Sequence, residues 1–333
     1  MGFSPCLPDI VFDVQPQLDV VVPCYNEAEG IRAFKTEVTR VLDGLDLSWR
    51  IVFVDDGSTD GTLQELNTLA AGDERVRVYS LSRNFGHQVA LSAGLDVTGD
   101  SLVLMMDADL QHPPDIIPRL IAEWRSGADV ISTVRGRTED AGWFKRAAAT
   151  IFYWLINRMT DTPIIPSAAD FCLLSPRAHR ALCSMPERHR FLRGMISWIG
   201  FKRSLVPFDA PRRRAGRSKY SALKMLLLAF DAMFSFSAAP MRLATRLGFV
   251  LVIPGALYFL YVVSHYFATN DFVRGWGSLI SVMLIIGGIQ LMFIGMTGEY
   301  LARVYEESKR RPLYFFKQQP DDVGSGTAAL GRR

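Results

Sequence analysis

The chain has 333 residues, 49% of them hydrophobic, with 37 Lys and Arg against 34 Asp and Glu and a formal net charge of +3. That length accommodates one large or two modest domains around a substantial core, and the composition excludes a disordered chain, a collagen-like repeat and a disulfide scaffold. The charge is too small to argue for nucleic acid on its own. Cys6, Cys24, Cys172 and Cys183 form no C-x-x-C pair and no metal-ligand spacing, so they read as reduced packing residues. Residues 1–17 read as an N-terminal tail, and no basic stretch followed by an apolar run marks a cleavable signal peptide.

From residue 18 short β-branched runs alternate with helical patterns. Leu18–Val22, Ile51–Val54, Val76–Leu81, Ser101–Met106 and Asp129–Val134 are the predicted strands, with helices at about 27–44, 60–71, 87–97 and 114–126 between them. Near-continuous apolar strands alternating with helices predict an α/β fold with a mostly parallel sheet and helices on both faces. Ligands in such sheets bind at the carboxyl ends of the strands. The polar clusters fall there.

After the first strand comes Pro23-Cys24-Tyr25-Asn26-Glu27, after the second Asp55-Asp56-Gly57-Ser58-Thr59-Asp60-Gly61-Thr62, and after the fourth Asp107-Ala108-Asp109-Leu110-Gln111-His112. Each alone is ordinary turn and capping chemistry, and capping is the better account of Thr59–Thr62. Three acidic clusters on one sheet edge repel one another unless a cation or a donor-rich ligand lies among them. Hard carboxylate oxygens such as those of Asp107 and Asp109 suit Mg²⁺ or Mn²⁺, which commonly also take substrate phosphates.

Further along, Trp143–Met159 carries five aromatics with basic residues at both ends, and Ser221–Ala239 is apolar except for Lys224 and Asp231. Both read either as helices lying at the lipid headgroup level or as ordinary packing helices. Between them, residues 201–220 hold seven Lys and Arg against one Asp. Part of this segment reads as a basic surface near an anionic leaflet, while Arg213, Arg217 and Lys219, around Gly216 and Ser218, suit a phosphate-wrapping turn.

Leu247–Phe267 and Ser278–Gly298 each run 21 residues without Asp, Glu, Lys or Arg. A bilayer core takes roughly 20 apolar residues, so a two-helix transmembrane hairpin is expected. Arg242 and Arg246 precede the first span, and Arg303, Lys309, Arg310 and Arg311 follow the second. The positive-inside bias then places both chain ends and the large N-terminal region in the cytoplasm. The expected layout is a catalytic domain at 18–215, a juxtamembrane helix at 216–242, the hairpin at 243–300 and a basic tail at 301–333, disordered from Gln318.

The motifs VVPCYNE (21–27), VDDGSTDGT (54–62), SRNFGHQVALSAGLD (82–96), MDADLQHPP (106–114), STVRGR (132–137), DFCLLS (170–175) and PRRRAGRSKYS (211–221) occur in this order. With them the chain resembles the family 2 glycosyltransferases of the GT-A (Rossmann-like) fold, and among these the membrane-anchored polyprenyl-phosphate glycosyltransferases. One departure is Cys172, where many relatives of that group carry Arg. The resemblance implies that Pro23, Tyr25, Glu27, Val54 and Asp56 hold the base and ribose of a UDP- or GDP-linked sugar. It implies that Asp107, Ala108 and Asp109 flank the diphosphate, with Asp109 as direct metal ligand and Gln111 close to metal or sugar. Arg135, Arg146 and Arg213, with Lys219, would face phosphates, and Asp170 would sit beside the reacting sugar.

The expected activity is thus metal-dependent, inverting transfer to polyprenyl phosphate at the cytoplasmic leaflet, in a bacterial inner membrane. The alternatives are a glycosyltransferase with a polysaccharide or protein acceptor, and a non-catalytic nucleotide-sugar-binding membrane partner. Nucleic acid is not an expected partner, and short interface helices are compatible with a homo-oligomer.

Overall fold

The computed structural model describes residues 17–135, 168–188, 190–208 and 275–320, together with 257–258, 260–261, 264–265 and 267–268. The chain divides into two units, one formed by residues up to Ala147, Ile164–Arg217 and Pro312–Arg333, the other by Ala148–Pro163 and Ser218–Arg311. The first unit runs β1 (Leu18–Cys24), α1 (Ile31–Leu42), β2 (Trp49–Asp55), α2 (Thr62–Ala71), β3 (Val76–Leu81), α3 (His87–Val97) and β4 (Leu102–Met105). A 3-10 turn at Pro114–Ile116 leads into α4 (Ile117–Arg125), followed by β5 (Val130–Arg135), β6 (Ala168–Leu174), α5 (Pro176–Cys183), α6 (Leu192–Trp198) and β7 (Arg203–Phe208). The second unit holds α7 (Trp276–Ser308), after which β8 (Phe316–Gln318) returns to the first.

β1 is buried at all seven positions, as a strand covered on both faces must be. It sits inside an eight-stranded sheet of order β7-β5-β6-β4-β1-β2-β3-β8. β1 pairs in parallel with β2 and β4, and β2 with β3. β6 runs against both β4 and β5, and β7 is parallel to β5, so six strands share one direction while β6 and β8 oppose it. The sheet is mostly parallel.

Alternate β1 residues Leu18, Val20 and Val22 join one core with Ile31, Phe34 and Val38 of α1, Leu66 of α2 and Leu120 of α4. On the other face α3 packs on β1 and β2, and α5 on β4 and β6. Gly94 lets α3 approach that closely, because a Cβ there would run into Val21 Cγ1 and come within 3.2 Å of Val54 Cγ2. Gly94→Ala is therefore expected to cost about 1–3 kcal/mol through overpacking, read as a lower denaturation midpoint.

The amino end of β1 is committed to structure. Asp19 is fully buried and accepts hydrogen bonds from Arg50 Nε (2.9 Å) and Nη2 (2.8 Å), Ser101 Oγ (2.7 Å) and Gln17 Nε2 (3.0 Å). The carboxyl ends of the strands carry the polar groups that are not spent this way.

All five predicted strands form. Three more were not anticipated. β6 enters between β4 and β5, so the Asp129–Val134 strand pairs with β6 and not with β4. β7 lies inside the segment read as basic surface; at the sheet edge, Pro207 costs no ladder bond toward solvent. The tail expected from residue 301 is instead structured up to residue 320. α7 continues to Ser308, and β8 completes the sheet because β3 otherwise presents an open edge.

Over the described residues no helix is long and apolar enough to cross a membrane. Most of the first expected span, Leu247–Phe267, and the whole of Trp143–Met159 and Ser221–Ala239 lie outside those residues. The second expected span falls within the 33-residue α7.

Candidate active site

The loops after β1 and β2 are bound to each other by their short polar side chains. Asn26, with φ of +56°, accepts from Thr59 N through Oδ1 (2.9 Å), and its own amide donates to Ser58 Oγ (3.0 Å). Asn tolerates this left-handed conformation better than other side-chain-bearing residues. Glu27 N donates to Thr62 Oγ1 (2.9 Å), and Thr62 N, the first amide of α2, donates to Asp60 Oδ1 (2.9 Å), while Gly61 holds the N-cap position and offers no side-chain cap.

Asp55 and Asp56 divide their tasks. Asp55 is buried and accepts from Ser80 Oγ (2.7 Å) and Ser58 N (3.1 Å). Asp56 accepts from Phe85 N (2.7 Å) and Gly86 N (2.9 Å), which holds the Arg83–Gly86 loop against the second strand's loop. Gly57, at φ of +65°, makes the approach feasible, since a Cβ there would collide with the Arg83 backbone. Burial raises the Asp56 carboxyl above its ordinary value, against the lowering effect of these two amides. Asp56 thus positions a neighbouring loop, and in this structure both its oxygens are engaged.

The carboxylates converge at the β4 end. Burial raises the Asp107 carboxyl; the imidazoles of His87 and His112 oppose that rise, and the charges of Asp170 and Asp109 add to it. Burial likewise raises the Glu27 carboxyl, with Asp109, Asp60 and Asp107 contributing further. Asp109 is exposed, and its Oδ1 accepts from Gln111 N (3.0 Å). Leu110 between them has φ of +54°, a conformation that costs a β-carbon residue about 1–2 kcal/mol and closes this turn tightly.

Asp170 reaches the same place by strand register. β6 runs against β4 with Cys172 opposite Met105, so two residues further along each strand Asp170 comes level with Asp107. His87 bridges them, with Nε2 at 3.5 Å from Asp107 Oδ1 and 3.7 Å from Asp170 Oδ2. Arg193 grips Asp170 with two bonds, Nε to Oδ1 at 2.6 Å and Nη2 to Oδ2 at 2.9 Å. Burial alone would push Asp170 up, but His87 and Arg193 hold it well below the usual carboxylate range. Asp170 therefore stays ionised, with its orientation set from two sides.

His112 is buried, stacks on Phe171 with ring centres 5.0 Å apart, and places Nδ1 3.8 Å from Asp107 Oδ2. Behind Asp170 lies a cavity of about 20 Å³ bordered by Ser132, Cys172 and Arg203, room for about one water. Burial pushes the Cys172 thiol up to about 11, so this residue packs as a neutral group. Arg203 Nη1 donates to Ser197 Oγ (3.1 Å) beside it.

Among the residues expected at the site, Glu27, Asp107, Asp109 and Asp170 come together, with Ala108 buried and Gln111 tied to Asp109 through its backbone. Pro23 and Val54 are paired neighbours at the ends of β1 and β2, and Tyr25 stands 45% exposed beside them. Arg135 ends β5 on the same edge, opposite Phe208. Arg146, Arg213 and Lys219 lie outside the described residues. Arg193 was not anticipated, and nothing in its local pattern distinguishes it from any other helix arginine. His87 directly follows the Arg83-Asn84-Phe85-Gly86 stretch of the 82–96 motif.

Among the described residues no group of three or more His, Cys, Asp or Glu is arranged to hold a metal alone. Mg²⁺ ordinarily needs one or two protein carboxylates, with substrate phosphates and water filling its shell. Asp107 and Asp109 supply that number. The contacts of Asp107 with two imidazoles at 3.5 and 3.8 Å are too long to spend its oxygens as hydrogen-bond acceptors. The donor set fits a hard divalent cation.

Residues 19–181 match the profile of glycosyl transferase family 2, and residues 239–304 that of the GtrB C-terminal hairpin. The chain is 37% identical over 298 residues to an uncharacterized glycosyltransferase of Synechocystis sp., covering 90% of this chain and 94% of that relative. It is also 37% identical over 303 residues to the prophage bactoprenol glucosyl transferase homolog of Escherichia coli, covering 91% and 99%. Of solved structures, mannosyl-3-phosphoglycerate synthase from Rubrobacter xylanophilus aligns with a TM-score of 0.47 at 19% identity, over 66% of this chain and 73% of that one. The identity to the first two, over nearly their whole length, settles the class: the chain belongs to glycosyl transferase family 2. It is a glycosyltransferase of the GT-A fold carrying a C-terminal hairpin domain.

Proposed function

We propose that the enzyme transfers a sugar from a UDP- or GDP-linked donor to polyprenyl phosphate at the cytoplasmic face of a bacterial inner membrane, with inversion at the anomeric carbon. The observation that carries this reading is the convergence of Glu27, Asp107, Asp109 and Asp170 on one sheet edge, in a hairpin-bearing chain with a relative named for bactoprenol. Pro23, Tyr25, Glu27 and Val54 line the place for base and ribose; Asp56 acts there by holding the Arg83–Gly86 loop.

Asp109, with Asp107 and Gln111 beside it, would hold Mg²⁺ or Mn²⁺, which when bound would neutralise charge developing on the leaving diphosphate. Arg135, Arg146, Arg213 and Lys219 supply further positive charge toward donor or acceptor phosphates, an effect that counts most where charge develops in the transition state. A phosphate monoester has a second pKa of about 6 and is largely dianionic at neutral pH, so it attacks without a strong side-chain base. Asp170, kept ionised by Arg193 and His87, orients a sugar hydroxyl and needs to take no proton.

The hairpin brings the site to a lipid-borne substrate. α7 is about 50 Å long at 1.5 Å per residue, more than the bilayer core of about 30 Å. Leu279, Val282, Met283, Leu291 and Ile294 along it are each more than half exposed, a surface suited to lipid and costly in water. The two spans of this reading rest on the sequence, on the charge-free runs Leu247–Phe267 and Ser278–Gly298, and the flanking arginines keep both chain ends cytoplasmic.

The deciding experiment incubates the purified full chain with labelled UDP- and GDP-sugars and undecaprenyl phosphate. A label that moves into the organic phase, vanishes with EDTA and returns with Mn²⁺ is the expected result. No lipid-linked product with any common donor would remove this reading.

A further inference from the structure

β8 does more than cover an edge. It pairs with β3, Ser80 opposite Gln318 and Leu81 opposite Phe316, and just beyond the ladder Ser82 N donates to Phe315 O at 2.8 Å. Ser82 is the residue before Arg83–Gly86, the loop whose amides bind Asp56 and whose next residue, His87, contacts Asp107 and Asp170. The other end of this segment is held too. Tyr314 Oη donates to Asp96 Oδ2 (3.0 Å) in the last turn of α3. The Phe316 ring packs against Tyr79 and Tyr314, at 5.4 and 5.0 Å centre to centre.

Residues 314–316 thus grip Ser82 and Asp96, the two ends of the stretch that carries the loop and His87. Covering an open edge requires only the ladder bonds. The Ser82 bond carries the β3–β8 register into the residue before the loop, and the tyrosine tie to α3 falls outside the ladder; both bear on the loop itself.

We propose that the C-terminal strap Pro312–Gln318 is a positioning element of the active site, setting the stance of the Arg83–His87 loop and through it the affinity for the nucleotide-sugar donor. It rests on the donor-site reading above. The strap touches no reacting group; it acts through Ser82 and α3. Its place after α7 in the chain means that the catalytic loop is held by residues that follow the hairpin in sequence.

The test compares Phe316→Ala, Tyr314→Phe and Gln318→Ala in the full chain. Gln318 Nε2 donates to Asn67 Oδ1 (3.0 Å) at the far end of the strap, away from the loop, and is the control. Phe316→Ala is expected to raise the donor KM about tenfold and Tyr314→Phe about threefold, with acceptor KM unchanged within twofold. Gln318→Ala is expected to leave both constants unchanged. A purely structural strap would lower Tm and total activity while donor and acceptor KM stayed as in the wild type, and that result overturns the proposal. If Phe316→Ala does not fold, Tyr314→Phe, which keeps the ring, decides alone. Wild-type protein inactive on every donor defeats the functional reading and the strap proposal with it, whereas an active wild type with unshifted variants defeats the strap alone.

Discussion

Asp109→Ala is expected to lower sugar transfer by about 10³-fold, with the protein otherwise folded as wild type. The side chain is exposed, and its one described hydrogen bond goes to the neighbouring Gln111 amide, so little of the fold depends on it. Its loss should change stability by no more than about 0.5 kcal/mol. The functional loss is large because Asp109 and Asp107 are the two carboxylates offered to the cation, and one alone holds it weakly where the described residues gather no group of three His, Cys, Asp or Glu. Initial rates of lipid-linked product, with a thermal melt of the same preparation, check both halves. Wild-type turnover in this variant would strip Asp109 of its assigned role.

Arg193→Ala is expected to reduce kcat about 100-fold and to cost about 1–3 kcal/mol of stability. The two bonds from Arg193 hold a carboxylate that is only 15% exposed, and removing them leaves that charge to His87. The stability figure stays below the cost of breaking a fully buried pair, because Arg193 itself is 39% exposed. Lys at this position restores charge but not the forked geometry, so Arg193→Lys should recover only part of the rate. The pH dependence has a definite sign. Asp170 has a depressed pKa in the folded state, so it contributes stability above the unfolded carboxylate value of about 3.9 and loses it as pH falls through the folded value. The gap between wild type and Arg193→Ala should therefore be full at neutral pH and shrink below about pH 4. Urea titrations at a series of pH values measure it; a gap that widens in acid contradicts the ion-pair account.

Much of this molecule is written locally. Runs such as Val20–Val22 and Ile51–Val54 are apolar at consecutive positions, which marks strands buried on both faces wherever they pair. The acidic loops are equally local, since Asp107 and Asp109 follow their strand directly and must lie at its carboxyl end. The two edge strands, β7 and β8, are harder to read. Arg203–Phe208 mixes exposed and buried positions around a proline, and Phe316–Gln318 is three residues long, too short for any periodicity.

The amino-acid sequence by itself determined the parallel half of the sheet, the acidic edge and the family, because these depend on consecutive residues and their spacing. Tertiary structure alone decided that β6 slips between β4 and β5, bringing Asp170 level with Asp107, and that α6 delivers Arg193 to it. It also decided that Asp56 serves the Arg83–Gly86 loop and that the chain returns after α7 to close the β3 edge. The reason is that a strand's partner, direction and register are chosen by the surfaces it meets across the fold, and no local pattern encodes them.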